Sequence, residues 1–122
     1  MATEMQSQIV DINFEELLAR VENDRELMQD LLDMFREEYP RQRQVLQQAL
    51  DENQMQQIHS AGHTLKGMCA NLAMPQAALA AARVEMAGKT QNQGELAEAI
   101  ADLDRAVARI WSQLGQSSGA TA

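Results

Sequence analysis

Hydrophobic residues recur along this chain at spacings of three and four, which places them on one face of successive helices. No stretch shows the strict alternation that is typical of a half-buried strand. The pattern predicts a short helix over about 14–22 and longer helices over about 24–51, 54–72, 75–88 and 93–114. Because short connections join long amphipathic helices, we expect an all-α fold, an antiparallel up-down four-helix bundle with a short additional N-terminal helix.

Capping residues set the predicted helix boundaries. An asparagine followed three residues later by a glutamate is close to a capping box, and this pattern occurs at Asn13, Asn23 and Asn92. Asn53 is the expected cap of the central helix, over 54–72. Pro75 suits the first position of the next helix, and Gly88 is expected to end it.

Pro40 interrupts the helix predicted over 24–51, because proline removes a backbone donor and clashes with the preceding turn. The apolar spacing resumes after Pro40, so we expect one kinked helix; two separate helices are the alternative. The predicted bundle domain covers 13–114. A flexible or partly helical segment at 1–12 precedes it, and a disordered tail at 115–122 follows it.

The composition limits the class of protein. A chain of 122 residues is expected to form one domain, and with only 3% aromatic residues its core must be filled mainly by aliphatic side chains and the eight methionines. A net charge of −8 argues against nucleic-acid binding, which needs clustered lysine and arginine. The single cysteine excludes an internal disulfide and fits a reducing compartment, so we expect a cytoplasmic protein. No apolar run is long enough to span a membrane. We expect the protein to be a monomer.

The central helix divides into two faces. Its apolar arc consists of Met55, Ile58, Gly62, Leu65, Cys69 and Leu72. His63 lies about 140° from Ile58 around the helix and should therefore point outward. Gly67 lies one turn beyond His63, where a glycine leaves bare backbone beside the imidazole. The pattern is typical of a histidine that another macromolecule must approach closely.

The run His63-Thr64-Leu65-Lys66-Gly67, followed by Ala70-Asn71-Leu72, resembles the histidine-phosphotransfer (HPt) domains of two-component phosphorelays. The resemblance extends over 14–114. One departure is Ala73, where the family usually has glycine, so the turn after the central helix is expected to differ.

The resemblance implies that His63 accepts a phosphoryl group through Nε2 from an aspartyl phosphate on a receiver domain and passes it to another receiver, or back. A neutral imidazole offers a lone pair, and an unperturbed histidine pKa of about 6.5 leaves much of it neutral near pH 7. Lys66 is expected to act as a point charge for the phosphoryl oxygens. The resemblance further implies that Glu85, on the next helix, orients His63; a solvated surface glutamate is the alternative. It places Mg²⁺ on the receiver, so no cofactor is expected on this chain.

The expected partners are receiver domains, a hybrid sensor histidine kinase, or both. The docking surface is predicted to have Gly67 and Ala70 at its centre, beside His63, with His59, Gln57 and Arg83 at its rim. His59 and His63 have the spacing of a zinc pair, but the central glutamate of such a motif and any clustered further ligands are missing, so no metal site is expected.

The chain lacks a glycine-rich phosphate loop, so it is expected to be a phosphocarrier without kinase activity of its own.

Three other functions compete with the phosphorelay hypothesis. A helical adaptor would dock without phosphorylation of His63, and a metal-binding bundle would hold a metal ion in the purified protein. A kinase dimerisation helix pair is disfavoured, because this chain has enough helices to close a bundle alone.

Overall fold

The computed structural model describes residues 11–119, and within that range it contains helices and no strand. Its helices are α1 (Phe14–Arg20), α2 (Arg25–Asp51), α3 (Met55–Asn71), α4 (Pro75–Thr90) and α5 (Gln93–Gly119). Short connections join consecutive helices, and α2 to α5 form the predicted four-helix bundle, with α1 packed against it. The fold class predicted from the hydrophobic pattern is confirmed. Over the same range, no helix has the length and apolar character needed to cross a bilayer.

The core lies between the apolar faces of these helices, and α3 contributes the face that the sequence predicts. Ile58, Leu65 and Cys69 are each at most 1% exposed. Burial raises the pKa of the Cys69 thiol to about 12, so Cys69 behaves as a small apolar side chain. At the α2–α5 contact, the ring of Phe35 packs against Trp111, with 5.3 Å between ring centroids.

Several predicted helix boundaries are confirmed. The Asn13 side chain accepts a hydrogen bond of 2.9 Å from the Glu16 backbone N–H, and Asn92 accepts one of 3.1 Å from Glu95. Pro75 is the first residue of α4. The helix α2 continues through Pro40 to Asp51, so the alternative of two separate helices is wrong.

The predicted caps at Asn23 and Asn53 are wrong. Both residues adopt a left-handed conformation, with φ of 65° and 54°, in the turns that follow α1 and α2. The N-cap of α2 is Asp24, whose carboxylate accepts a 3.0 Å bond from Leu27 N–H, and Gln54 precedes α3 without a side-chain cap. Asparagine is favoured both at N-caps and in left-handed turns after a helix, so the local sequence did not distinguish the two uses.

The turn after α3 closes in the left-handed conformation although its central residue is alanine. Ala73 has φ of 57°, and the Met74 N–H bonds the Cys69 carbonyl at 3.0 Å while the Ala73 N–H bonds that of Ala70 at 3.2 Å. This hydrogen-bond pattern is a Schellman motif, whose left-handed position is most often glycine. The expectation that Ala73 would make this turn differ is therefore wrong, because alanine adopts the left-handed position that glycine usually holds.

Three predicted limits shift in the structure. Gly88 does not end α4, which continues to Thr90, because Gly88 packs against α3 instead of terminating a helix. The helix α5 continues beyond the predicted limit of 114 to Gly119, so the predicted tail at 115–122 begins inside a helix. Asp11 and Ile12, placed by the prediction in a flexible segment, are buried, and Asp11 pairs with Arg109 at 2.7 Å. The predictions for 1–10 and 120–122 lie outside the described residues.

Candidate functional site

His63 projects from the outer face of α3, as its angular position predicts. Its side chain is 67% exposed. Ser60 and Ala70, which share this face, are also exposed, and Gly67 is half-buried. Because these neighbours are small, the imidazole stands above a low surface that a partner can approach.

Glu85 of α4 binds both of the functional side chains predicted on α3. Its Oε2 lies 3.0 Å from Nδ1 of His63, and its Oε1 lies 2.7 Å from Nζ of Lys66. The Glu85 side chain is only 18% exposed, whereas that of Lys66 is 36% exposed. The structure therefore places Glu85, whose role only the family resemblance implied, against both His63 and Lys66, and not as a solvated surface glutamate.

The contacts of Glu85 define which nitrogen of His63 carries the proton. The hydrogen bond from Lys66, and then that from His63, holds the pKa of Glu85 below its ordinary value, so its carboxylate is ionised and can only accept. His63 must therefore donate from Nδ1. In the neutral ring, Nε2 is then the nitrogen with the free lone pair.

Two glycines allow α3 and α4 to approach closely enough for this contact. A Cβ added at Gly62 would lie 2.6 Å from the Glu85 nitrogen and 2.8 Å from its Cα. A Cβ added at Gly88 would lie 2.7 Å from the His59 nitrogen. Contacts this short with backbone atoms are not tolerated, so both positions require glycine as long as the helices stay at this separation.

His59, which the sequence places at the rim of the docking surface, packs between two helices. Its ring is half-buried between α3 and α4, with Nδ1 3.0 Å from the backbone oxygen of Glu85. A carbonyl oxygen can only accept, so Nδ1 of His59 is the donor. One ring nitrogen is thus used within the bundle.

Arg83 also lies away from the group around His63. Its Nε binds Glu95 at 2.7 Å and its Nη1 binds Asp102 at 2.6 Å, which directs the guanidinium toward α5. The rim contact predicted for Arg83 does not fit this placement. Gln57 is exposed on α3 and stays a predicted rim residue.

Arg20 is a residue of this surface that the sequence analysis missed. Its Nη1 donates to the carbonyl oxygens of Ala70 at 2.7 Å and Asn71 at 3.0 Å, and a second nitrogen pairs with Glu16. A cation suits the C-terminal end of a helix, where carbonyl groups lack partners. The contact joins residues 50 positions apart, so no local pattern could have indicated it.

Within the described residues, no packing contact explains why position 67 is a glycine. A Cβ added there would meet nothing within 4 Å outside its own helix turn. Residues 11–119 contain no group of three histidine, cysteine, aspartate or glutamate side chains suited to a metal ion.

Comparison with known families gives one match. The family model described as Hpt domain matches residues 30–113, a segment that includes all of α3 and α4. No match was found among curated proteins or solved structures.

Proposed function

The chain belongs to the Hpt domain family, and from this membership we propose that His63 accepts a phosphoryl group from a receiver-domain aspartyl phosphate and passes it to another receiver, or back. Hpt domains are phosphocarrier modules of two-component relays and are not kinases. The observation that carries the assignment to His63 is its exposed ring, whose Nδ1 binds the Glu85 carboxylate and leaves Nε2 as the nucleophile.

The proposed step is a displacement at phosphorus. The Nε2 lone pair forms the N–P bond as the bond from phosphorus to the aspartyl oxygen breaks, and the aspartate leaves as a carboxylate. The phosphorylated ring keeps its Nδ1 proton and becomes positively charged. Glu85 lies 3.0 Å from that nitrogen and stabilises the charge that develops there.

Lys66 supplies positive charge close to the reacting nitrogen. Phosphoryl transfer has a loose transition state whose charge lies on the equatorial oxygens, so positioning and electrostatics account for most of the catalysis. The Lys66 ammonium uses one N–H for Glu85 and has two more to offer to phosphoryl oxygens. We assign Mg²⁺ to the receiver and no cofactor to this chain.

The docking surface is the outer face of α3, defined by Ser60, His63, Gly67 and Ala70. It is low and weakly apolar, which suits a partner that must dissociate after transfer. The receiver's aspartyl phosphate can reach Nε2 because the residues beside His63 are small.

The experiment is a panel of purified, phosphorylated receiver domains incubated with the wild type and with His63→Gln. The wild type is expected to acquire an acid-labile, base-stable phosphate, and the variant none, while the helical circular dichroism of the two stays the same. His59 is present in both proteins and serves as the internal control. Phosphate retained on His63→Gln would remove His63 from the role. Receiver binding without any labelling of the wild type would instead identify an adaptor.

A further inference from the structure

Both histidines of α3 contact Glu85 of α4, one at its side-chain carboxylate and the other at its backbone oxygen. Nδ1 of His63 lies 3.0 Å from the Glu85 carboxylate, and Nδ1 of His59 lies 3.0 Å from the Glu85 backbone oxygen. The two histidines are one helical turn apart, so they contact Glu85 from the same side. A contact that holds the Glu85 backbone in place therefore also sets the position from which the Glu85 side chain reaches His63.

The bond from His59 does not depend on the charge of its ring. Nδ1 carries a proton both in the protonated ring and in the neutral tautomer that this contact selects. A carbonyl oxygen has two lone pairs, so Glu85 can accept from His59 in addition to its bond within α4. His59 thus ties α4 to α3 at the residue whose carboxylate faces His63.

Close packing of α3 and α4 restricts where the His59–Glu85 hydrogen bond can form. Gly62 lies under the Glu85 backbone, and Gly88 lies under the His59 backbone, at distances that admit no Cβ. The Glu85 carboxylate has to reach Nδ1 of His63 at 3.0 Å and Nζ of Lys66 at 2.7 Å at the same time. A shift of α4 by about 1 Å would break at least one of these bonds, because hydrogen bonds weaken steeply beyond about 3.2 Å.

From this geometry we propose that His59 is a positioning residue for His63. It donates from Nδ1 to the Glu85 carbonyl, holds the carboxylate on Nδ1 of His63, and so keeps Nε2 of His63 unprotonated and outward. The proposal deepens the proposed function and rests on it for its effect on transfer, but its effect on the His63 ring is independent of any partner.

The test compares His59→Asn with His59→Gln. The asparagine amide places an N–H close to the position of Nδ1, whereas the glutamine amide places it one bond further out. Long-range ¹H–¹⁵N spectra of the unphosphorylated proteins report the tautomer of His63, and initial rates with a phosphorylated receiver report transfer. We expect Asn to keep the wild-type tautomer, and Gln to lower the Nδ1–H fraction of His63 and slow transfer by about threefold to tenfold.

A double-mutant cycle separates positioning from general stability. In a Glu85→Ala background there is no carboxylate to hold, so His59→Gln is expected to have no further effect on the His63 tautomer or the transfer rate. Unfolding midpoints are measured alongside. A His59→Gln protein that is less stable but has an unchanged His63 tautomer would overturn the proposal, and so would an equal effect of His59→Gln with and without Glu85.

The two proposals fail in different ways. If the wild type accepts no phosphate while His59→Gln still shifts the His63 tautomer, the proposed function is wrong and the positioning of the ring stands. If transfer occurs normally and the tautomer is the same in all His59 variants, the proposed function stands and the role of His59 is wrong.

Discussion

Gly62 and Gly67 lie on the same helix and face opposite surroundings. At Gly62 an added Cβ would lie 2.6 Å from the Glu85 nitrogen, whereas at Gly67 it would meet nothing within 4 Å outside its own helix turn. A glycine inside a helix costs about 0.5–1 kcal/mol relative to alanine. At Gly62, the close contact with α4 explains why a glycine is present despite this cost in helix stability. At Gly67 the described residues offer no such explanation, which fits a surface that an outside partner must approach.

The largest expected effect is that of Gly62→Ala. The new methyl group would collide with backbone atoms of Glu85, which cannot rotate away, so α3 and α4 must separate. We expect the free energy of unfolding to fall by about 1–3 kcal/mol, measured by urea denaturation. Gly67→Ala is the matched control on the same helix. Equal stability of the two variants would contradict the close approach of α4 at Gly62.

Gly88→Ala tests the same contact from the opposite helix and should have a somewhat smaller effect. Its Cβ would lie 2.7 Å from the His59 nitrogen and 3.0 Å from its Cα. We expect a loss of about 1–2 kcal/mol in unfolding free energy and a weaker His59–Glu85 bond, visible as a changed ¹⁵N shift of His59 Nδ1. If Gly88→Ala were more stable than the wild type, the close contact between Gly88 and His59 would be contradicted, and the only effect of Gly88 would be its low helix propensity.

Gly67→Ala is expected to change stability in the other direction. With open space at the Cβ, alanine should raise the free energy of unfolding by about 0.5–1 kcal/mol through its helix propensity. If a receiver covers this face, the same methyl group should slow phosphoryl transfer by about tenfold. Wild-type transfer rates in a stabilised Gly67→Ala protein would show that the receiver does not approach at Gly67.

The smallest expected effect is on the titration of Glu85. Its pKa lies below the ordinary value of 4.5, first because of Lys66 and then because of His63, so its ionised contacts stabilise the fold above pH 4.5 and are lost as the pH falls through the lowered pKa. Lys66→Met should move this pKa upward, toward 4.5, in a ¹³C carboxyl titration. Lys89→Met, the matched control on α4, should leave it unchanged. An equal upward shift in both variants would remove Lys66 as the main cause.

The sequence predicted the parts of the site that depend on helical periodicity. The outward position of His63 follows from the angle around α3, and the burial of Cys69 follows from the same angle. The position of Glu85 against His63 was implied by the family resemblance, and the distance of 3.0 Å agrees with it. Its orienting role stays a prediction until transfer rates are measured.

Other features depend on tertiary contacts that local patterns do not contain. Asn23 carries the same cap signal as Asn92 but lies in the left-handed turn that follows a helix, and Gly88 carries a stop signal but packs against His59. His59 appeared to be a surface residue, because nothing in the sequence indicated how closely α4 approaches. Asparagine serves both as an N-cap and in left-handed turns, so its local sequence does not separate the two uses, whereas the contacts of Gly88 and His59 depend on the neighbouring helix.

The Arg20 contact has a consequence for how this protein is divided for experiments. Arg20 lies before the matched segment 30–113, yet its guanidinium terminates α3 through the oxygens of Ala70 and Asn71. A fragment trimmed to the family boundary would keep every residue of the phosphotransfer motif but lose the guanidinium that binds these two oxygens, while the Ala70 oxygen would keep its bond from the Ala73 N–H. If a receiver covers the outer face of α3, docking measurements on such a fragment would test an altered surface, because Ala70 belongs to that face.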